Sequence, residues 1–325
     1  MKKAFVFCFL LCLFLFSSCS DYNELNMQAI VRYAGVDFSG GETEVSVMCE
    51  GAKEDGYAIY SGRGKSFFEA VRNIAQREEK KLYWGHTEAL VFGEEAIKNN
   101  FDETLDAILR ARDVYLDIVP VAAREMRASY VINAEADGKT VLSTFANEAN
   151  SRRFSEKAIW EILRLRDEFF VCIIPTLQES DGKIIMSGGA CISKKTLLGF
   201  LDGEEMLLLS LLTEDRPGGY LPTLETEEGA GISFEILSNK TEMKKENDTL
   251  SIRQKITLSP AEVSGDVTVG EMKKTASRYL SEGYEKLFSS ARKENLGNIF
   301  ATDGYDEIKR TEAETDVQIS NVFGG

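Results

Sequence analysis

The sequence predicts an α+β fold in more than one unit, and three observations predict it. Strand and helix periods alternate irregularly through the first two thirds of the chain. Paired strand patterns meet at turn signals such as Gly40-Gly41, Asp181-Gly182 and Asn247-Asp248, which favours antiparallel sheets. The C-terminal third places its strands ahead of one long helix, the order of an α+β domain rather than a doubly wound one. With 325 residues and 43% apolar side chains, the chain has globular composition and room for two or three compact units.

Residues 28–38 and 42–50 flank Ser39-Gly40-Gly41 as a hairpin, with Val45, Val47 and Cys49 alternating against polar neighbours. Residues 66–80 read as a helix with Phe67, Phe68, Val71, Ile74 and Ala75 on one face, and Ser66 and Glu69 stand at capping-box spacing. A strand is expected over 82–92, a helix over 102–112 with Leu105, Ile108 and Leu109 inward, and a strand over 114–122. A helix at 155–167 carrying Ile159, Trp160, Ile162, Leu163 and Leu165 leads to a second hairpin, 169–178 with 183–193. Around Asp181-Gly182 that hairpin sets Cys172 opposite Cys191, unless Gly188-Gly189 hides a bulge that shifts the register. Neighbouring reduced thiols are expected, with a disulfide the alternative.

Arg216-Pro217-Gly218-Gly219 and the acidic residues after it read as a linker. Beyond it Ile232, Phe234 and Ile236 alternate, as do Leu250, Ile252, Ile256 and Leu258, with Gln254 between them. A helix over 271–295 and a last strand over 315–323 follow. The chain thus divides into a leader (1–18), a mixed α/β region (19–215, subdivided near 150), a linker (216–230) and an α+β domain (231–325).

The leader has the layout of an export signal: Lys2 and Lys3, an apolar run over 4–16, then small residues. No later run approaches the roughly 20 apolar residues that span a bilayer; the nearest is 206–212. Ser17-Ser18-Cys19 closes the signal as in a bacterial lipobox, with cleavage between Ser18 and Cys19 and a diacylglyceryl group on the Cys19 sulfur. Two acyl chains, at about 0.8 kcal/mol per buried methylene, make a stable anchor where one is marginal. An ordinary secretory signal and an uncleaved signal anchor are the alternatives.

The chain carries a formal charge of −15, and removal of residues 1–18 leaves 36 Lys and Arg against 53 Asp and Glu, or −17. Such a body is repelled by nucleic-acid phosphates and by anionic lipid headgroups, so no nucleic-acid partner is expected. Beyond the signal and Cys19, only Cys49, Cys172 and Cys191 remain, too few for a disulfide scaffold.

Motifs for chemistry fail on inspection. Gly64-Lys65-Ser66 lacks the phosphate-loop glycine five places earlier, where Ile59 stands, so it reads as the capped start of a helix. His86 is the only histidine; with Glu88 it spells His-x-Glu, but no Pro-Cys-x-x-Cys partner exists for a zinc site. A packed or hydrogen-bonded His86 is expected. Glu78-Glu79, Glu204-Glu205 and Glu227-Glu228 read as solvated faces, and Trp84 and Trp160 as core. The sequence therefore predicts no catalytic residues, no metal site and no cofactor beyond the covalent lipid.

Cys19 followed by Asp21-Tyr22-Asn23-Glu24-Leu25-Asn26, an apolar strand and Gly35-Val36-Asp37 resembles the start of the Ger(x)C family, the C subunits of spore germinant receptors. The likeness continues through 64–75, Lys81-Leu82-Tyr83-Trp84-Gly85-His86, Val91-Phe92-Gly93-Glu94, Arg110-Ala111-Arg112-Asp113 and Val119-Pro120-Val121, then Gly189-Ala190-Cys191, Leu198-Gly199-Phe200-Leu201 and Glu204-Glu205. Tyr22 stands where the family commonly has tryptophan, and 298–315 lacks a Pro- and Trp-containing insertion.

The resemblance implies a lipoprotein on the outer face of the spore inner membrane, assembled with an integral-membrane A subunit and a transporter-like B subunit. It implies no catalysis, and nutrient acting at the membrane subunits rather than binding here. A lipid-anchored solute-binding protein is the alternative, and it requires two α/β lobes around a cleft. An envelope hydrolase would require a nucleophile motif that the sequence lacks.

Overall fold

The computed structural model describes residues 28–320 apart from 51–55, 78–79, 112–113, 139–141, 143–156, 170, 194–195 and 214–218. Ser18 and Cys19, the expected cleavage and lipid-attachment residues, lie outside the described residues, as do Glu78 and Glu79.

The hairpin β1 (Gln28–Ser39) and β2 (Glu42–Glu50) forms as expected and continues into β3 (Tyr57–Gly64). Helix α1 (Phe67–Ala75) starts at Ser66, whose hydroxyl accepts from the Glu69 amide at 3.2 Å. Its buried residues are Ala70 and Ile74, while Phe68 is 66% exposed, so the apolar face is rotated from the expected one. The single strand expected over 82–92 is two, β4 (Lys81–Tyr83) and β5 (Ala89–Gly93), both parallel to β1. Between them Trp84 to Glu88 form a turn; the Thr87 hydroxyl donates to the Val31 carbonyl, and the Glu88 amide to that of Arg32.

Helix α2 (Glu94–Arg110) begins eight residues earlier than expected and is interrupted at Asn100. Leu105 and Ile108 are buried, Leu109 is not. Strand β6 (Val119–Ala123) is followed by helix α3 (Ala128–Ala136), which the sequence reading missed. Helix α4 (Ile159–Phe169) buries Ile159 and Ile162 but leaves Trp160 47% exposed, a correction to its expected core role.

The second hairpin, β7 (Val171–Ser180) and β8 (Lys183–Ser193), runs in the expected register only from Ser180–Lys183 to Leu177–Met186. A bulge then shifts the pairing so that Cys191 faces Ile173 and Cys172 faces Ile192. Cys49, Cys172 and Cys191 are all buried and none is disulfide-bonded. Strand β9 (Leu197–Asp202) completes a nine-stranded sheet of order β3-β2-β1-β5-β6-β7-β8-β9, with β4 beside β1. Helices α1, α2 and α4 cover one face, and α3 the other.

Helix α5 (Gly203–Thr213) is apolar all round, burying Met206, Leu207, Leu208, Leu209, Leu211 and Leu212. Such a helix must be enclosed on all sides, and it packs against β8, β9 and the C-terminal elements. No helix among the described residues is long and apolar enough to cross a membrane. Within the expected linker, Tyr220–Glu225 is strand β10, pairing with β11 (Gly231–Glu246). Strand β12 (Thr249–Val263) pairs antiparallel with β11, and helix α6 (Val269–Lys293) then returns the chain to β13 (Arg310–Ile319), parallel to β12. Thr268 and Glu271 form a full capping box at the start of α6. The four-stranded sheet packs one face against α5 and α6.

Candidate functional site

The residues that invited chemistry have structural employment. His86 lies in the exposed turn between β4 and β5 rather than in a strand, its ring 5.7 Å from that of Tyr83 in an edge-on contact. Glu88 is claimed by Arg32, an ion pair, and by the Tyr33 hydroxyl, which donates to it at 2.6 Å. Burial, then the bond to Glu88 and its charge, push the Tyr33 pKa well above the usual phenol range. Among the described residues no three His, Cys, Asp or Glu side chains gather as a metal site. A side chain at Gly64 would meet the Ala70 amide at 2.7 Å, so this glycine lets α1 lie directly on β3. Cys191 is held protonated, its pKa raised by burial and next by nearby Cys172, the opposite of a reactive thiolate. Asp202 and Glu205 cap α5 reciprocally: an Asp202 carboxylate oxygen accepts from the Glu204 and Glu205 amides at 2.9 and 2.8 Å, and the Glu205 carboxylate accepts from the Asp202 amide at 3.0 Å. Glu227 pairs with Lys274 and Arg278 on α6.

The motif residues converge at the end of the large sheet away from Gln28. Asp37, 6% exposed, accepts from the amides of Ala128 and Ser129 at 2.8 and 2.9 Å, so a carboxylate on β1 caps α3 from 91 residues away. Gly35 supplies the clearance, because a side chain there would sit 2.9 Å from Ile132; at Gly93 one would sit 2.5 Å from the Asp37 carboxylate. Glu94 accepts from the Glu125 amide at 2.7 Å, fixing the turn before α3, where Glu125 takes a left-handed φ of 58°. Arg127 reaches Asp37 at 3.5 Å and Glu44 at 2.9 Å, and Arg63 joins Glu44 at 2.8 Å. This cluster docks a helix.

In the clefts a few lining side chains are bonded to each other, Asn100 to Thr43 and Arg110 to Asp106, while Asn100 Oδ1 and Thr104 Oγ1 are buried without a hydrogen-bond partner. The one between α1 and α2, ≈ 610 Å³, is walled by Phe38, Phe67, Phe68 and Ala107 with Lys65, Glu103 and Arg110 at its margin. A second, ≈ 390 Å³, lies where α4 and β7 meet α5 and the 298–301 loop.

Comparison with known proteins follows this geometry. A family model described as the spore germination protein N-terminal domain matches residues 21–178, and one described as spore germination B3/GerAC like, C-terminal, matches 187–315. The two meet across the tip of the β7–β8 hairpin, inside the continuous nine-stranded sheet. Among solved structures, one described as the crystal structure of the GerBC protein matches with a TM-score of 0.54 at 15% identity, covering 93% of this chain and 100% of that one. No curated protein matches the chain.

Proposed function

The chain belongs to the spore germination GerAC family, and on that premise we propose that it is the lipid-anchored C subunit of a nutrient germinant receptor, working by protein contact rather than catalysis. The observation that carries this reading is the order and reach of the two family models, which take in both the large sheet and the four-stranded sheet. In this reading Cys19 carries a diacylglyceryl group after cleavage at Ser18, and the body sits on the outer face of the spore inner membrane beside integral-membrane A and B subunits. The employment of Asp37, Glu44, Glu88 and Glu94 in helix docking and ion pairs supports a structural rather than catalytic use of the family motifs. The solute-binding alternative called for two α/β lobes around a cleft. A nine-stranded sheet joined through α5 to a one-sided four-stranded sheet does not favour it.

The test is a pull-down from detergent-solubilised spore inner membrane with wild type and Cys19→Ala, followed by mass spectrometry. A diacylglyceryl adduct on Cys19, with A- and B-type subunits co-purifying from wild type, is the expected result. A lipidated protein accompanied by a permease and its ATPase would overturn the reading.

A further inference from the structure

The exposed aromatic residues are unevenly placed. Strand β1 enters the large sheet at Gln28, and the pairing register brings to that end Glu50 and Tyr57 of β2 and β3, all of β4, and the approach to β6. Tyr115 lies in that approach, and the start of α4 is bonded to it, the Ile159 and Trp160 amides donating to the carbonyls of Ile118 and Leu116. Leu109, at the close of α2, leads into the same loop. This end therefore exposes Tyr57 (48%), Leu109 (51%), Tyr115 (64%) and Trp160 (47%), four of the nine large apolar side chains exposed among the described residues. Among its described charges, Lys80, Lys81, Lys157 and Arg164 stand beside Glu50, Asp117 and Glu161, in a chain that is −15 overall.

Only eight residues separate Cys19 from Gln28, a reach of at most about 30 Å even fully extended. An anchor at Cys19 thus keeps this end, and not the Asp37 end, within reach of the bilayer. Tyrosine and tryptophan are the side chains that settle at headgroup depth, where the ring is desolvated and its polar edge stays wet.

We propose that the β1-entry end of the large sheet, through Tyr57, Tyr115 and Trp160, docks directly on the lipid headgroup region and orients the body on the membrane. The proposal rests on the anchored reading above and replaces the expectation that acidity holds the whole body off the lipid, because basic side chains stand among the acids at this end.

Trp84 and Trp160 are the only tryptophans, and Trp84 is buried, so Trp160 can report alone in Trp84→Phe. Residues 19–325 of that variant would be coupled through Cys19 to a maleimide lipid in phosphatidylethanolamine/phosphatidylglycerol vesicles, since the three body thiols are buried. This tether does not depend on cellular acylation, so failure of the anchor reading and failure of docking give different results. Docking predicts that Trp160 emission shifts to shorter wavelength on the vesicle and is quenched by lipids brominated near the headgroup. Trp84, read in Trp160→Phe, should stay unquenched, which also reports an intact fold, and Tyr115→Ser should weaken the Trp160 quenching. A Trp160 that remains as water-exposed on the tethered vesicle as in solution, or that is shielded only when a membrane protein is added, overturns the proposal.

Discussion

The large sheet and the four-stranded sheet are built to opposite rules. In β5 every residue from Ala89 to Gly93 is buried, Leu90 and Phe92 under α2 and Ala89 and Val91 under α3. In β12, Ile252, Gln254, Ile256 and Leu258 are inward while Arg253 and Lys255 are exposed, because helices cover one face only. A sheet buried on both faces writes a continuous apolar run into its sequence; one buried on a single face writes an alternation.

The largest expected effects test that contrast directly. In β5, Phe92→Ala and Val91→Ala should both destabilise, by about 3–5 and about 2–3 kcal/mol, although they are neighbours on opposite faces. In β12, Ile256→Ala should cost about 2–5 kcal/mol while Lys255→Ala stays within about 0.5. Denaturant unfolding of the four variants measures it; a tolerant Val91→Ala would break the two-sided account.

Next in size is Asp37→Ala. It removes the distant cap of α3 and leaves Arg127 short of a partner, at a cost of about 3 kcal/mol. Hydrogen exchange should show α3 opening before the rest of the sheet, and uniform exchange across the sheet would argue against a local docking role.

The four-stranded side has its own polar element, a relay in which the Tyr284 hydroxyl donates to Gln254, Gln254 to Asn239 and Asn239 to the Leu211 carbonyl, at 2.9, 2.8 and 2.8 Å. Tyr284→Phe should cost about 1 kcal/mol by leaving Gln254 one bond short. An unchanged unfolding midpoint would mean that the relay adjusts without it.

The gentlest test is by pH. Partial burial works to raise the Glu44 pKa, but hydrogen bonds and charge from Arg127, then Arg63, outweigh it and hold the pKa below the usual 4.5. A carboxylate depressed in the folded state contributes stability above its unfolded pKa and loses it as pH falls through the folded one. Glu44→Gln should therefore fall short of wild type by less than about 1 kcal/mol above pH 4.5 and converge with it in acid. A constant offset across the range would assign the effect to packing.

The same contrast explains what the sequence could reveal. The alternation in β11 and β12, the Asn247-Asp248 turn and the long helix α6 were legible because each signal is local. The split of 82–92 was missed because the Gly85-His86-Thr87-Glu88 interruption was read as part of one strand between Leu82 and Phe92. Helix α3 was missed because Arg127 at its N-cap offers no side-chain cap; the capping carboxylate belongs to β1. Strand β10 was hidden in a segment rich in turn formers and gains its identity only by pairing with β11. Of the site residues, Ser18 and Cys19 rest on the signal pattern, whereas the grouping at the β1-entry end emerges only when the register is known.

Strand β1 is hydrogen-bonded on both sides, by β2 along one edge and by β4 and β5 along the other. A pull transmitted from the membrane through residue 28 would run along this inner strand and load two ladders side by side, so that no edge peels first. In the attachment proposed above, tension would reach the body in shear along two ladders rather than by peeling one edge.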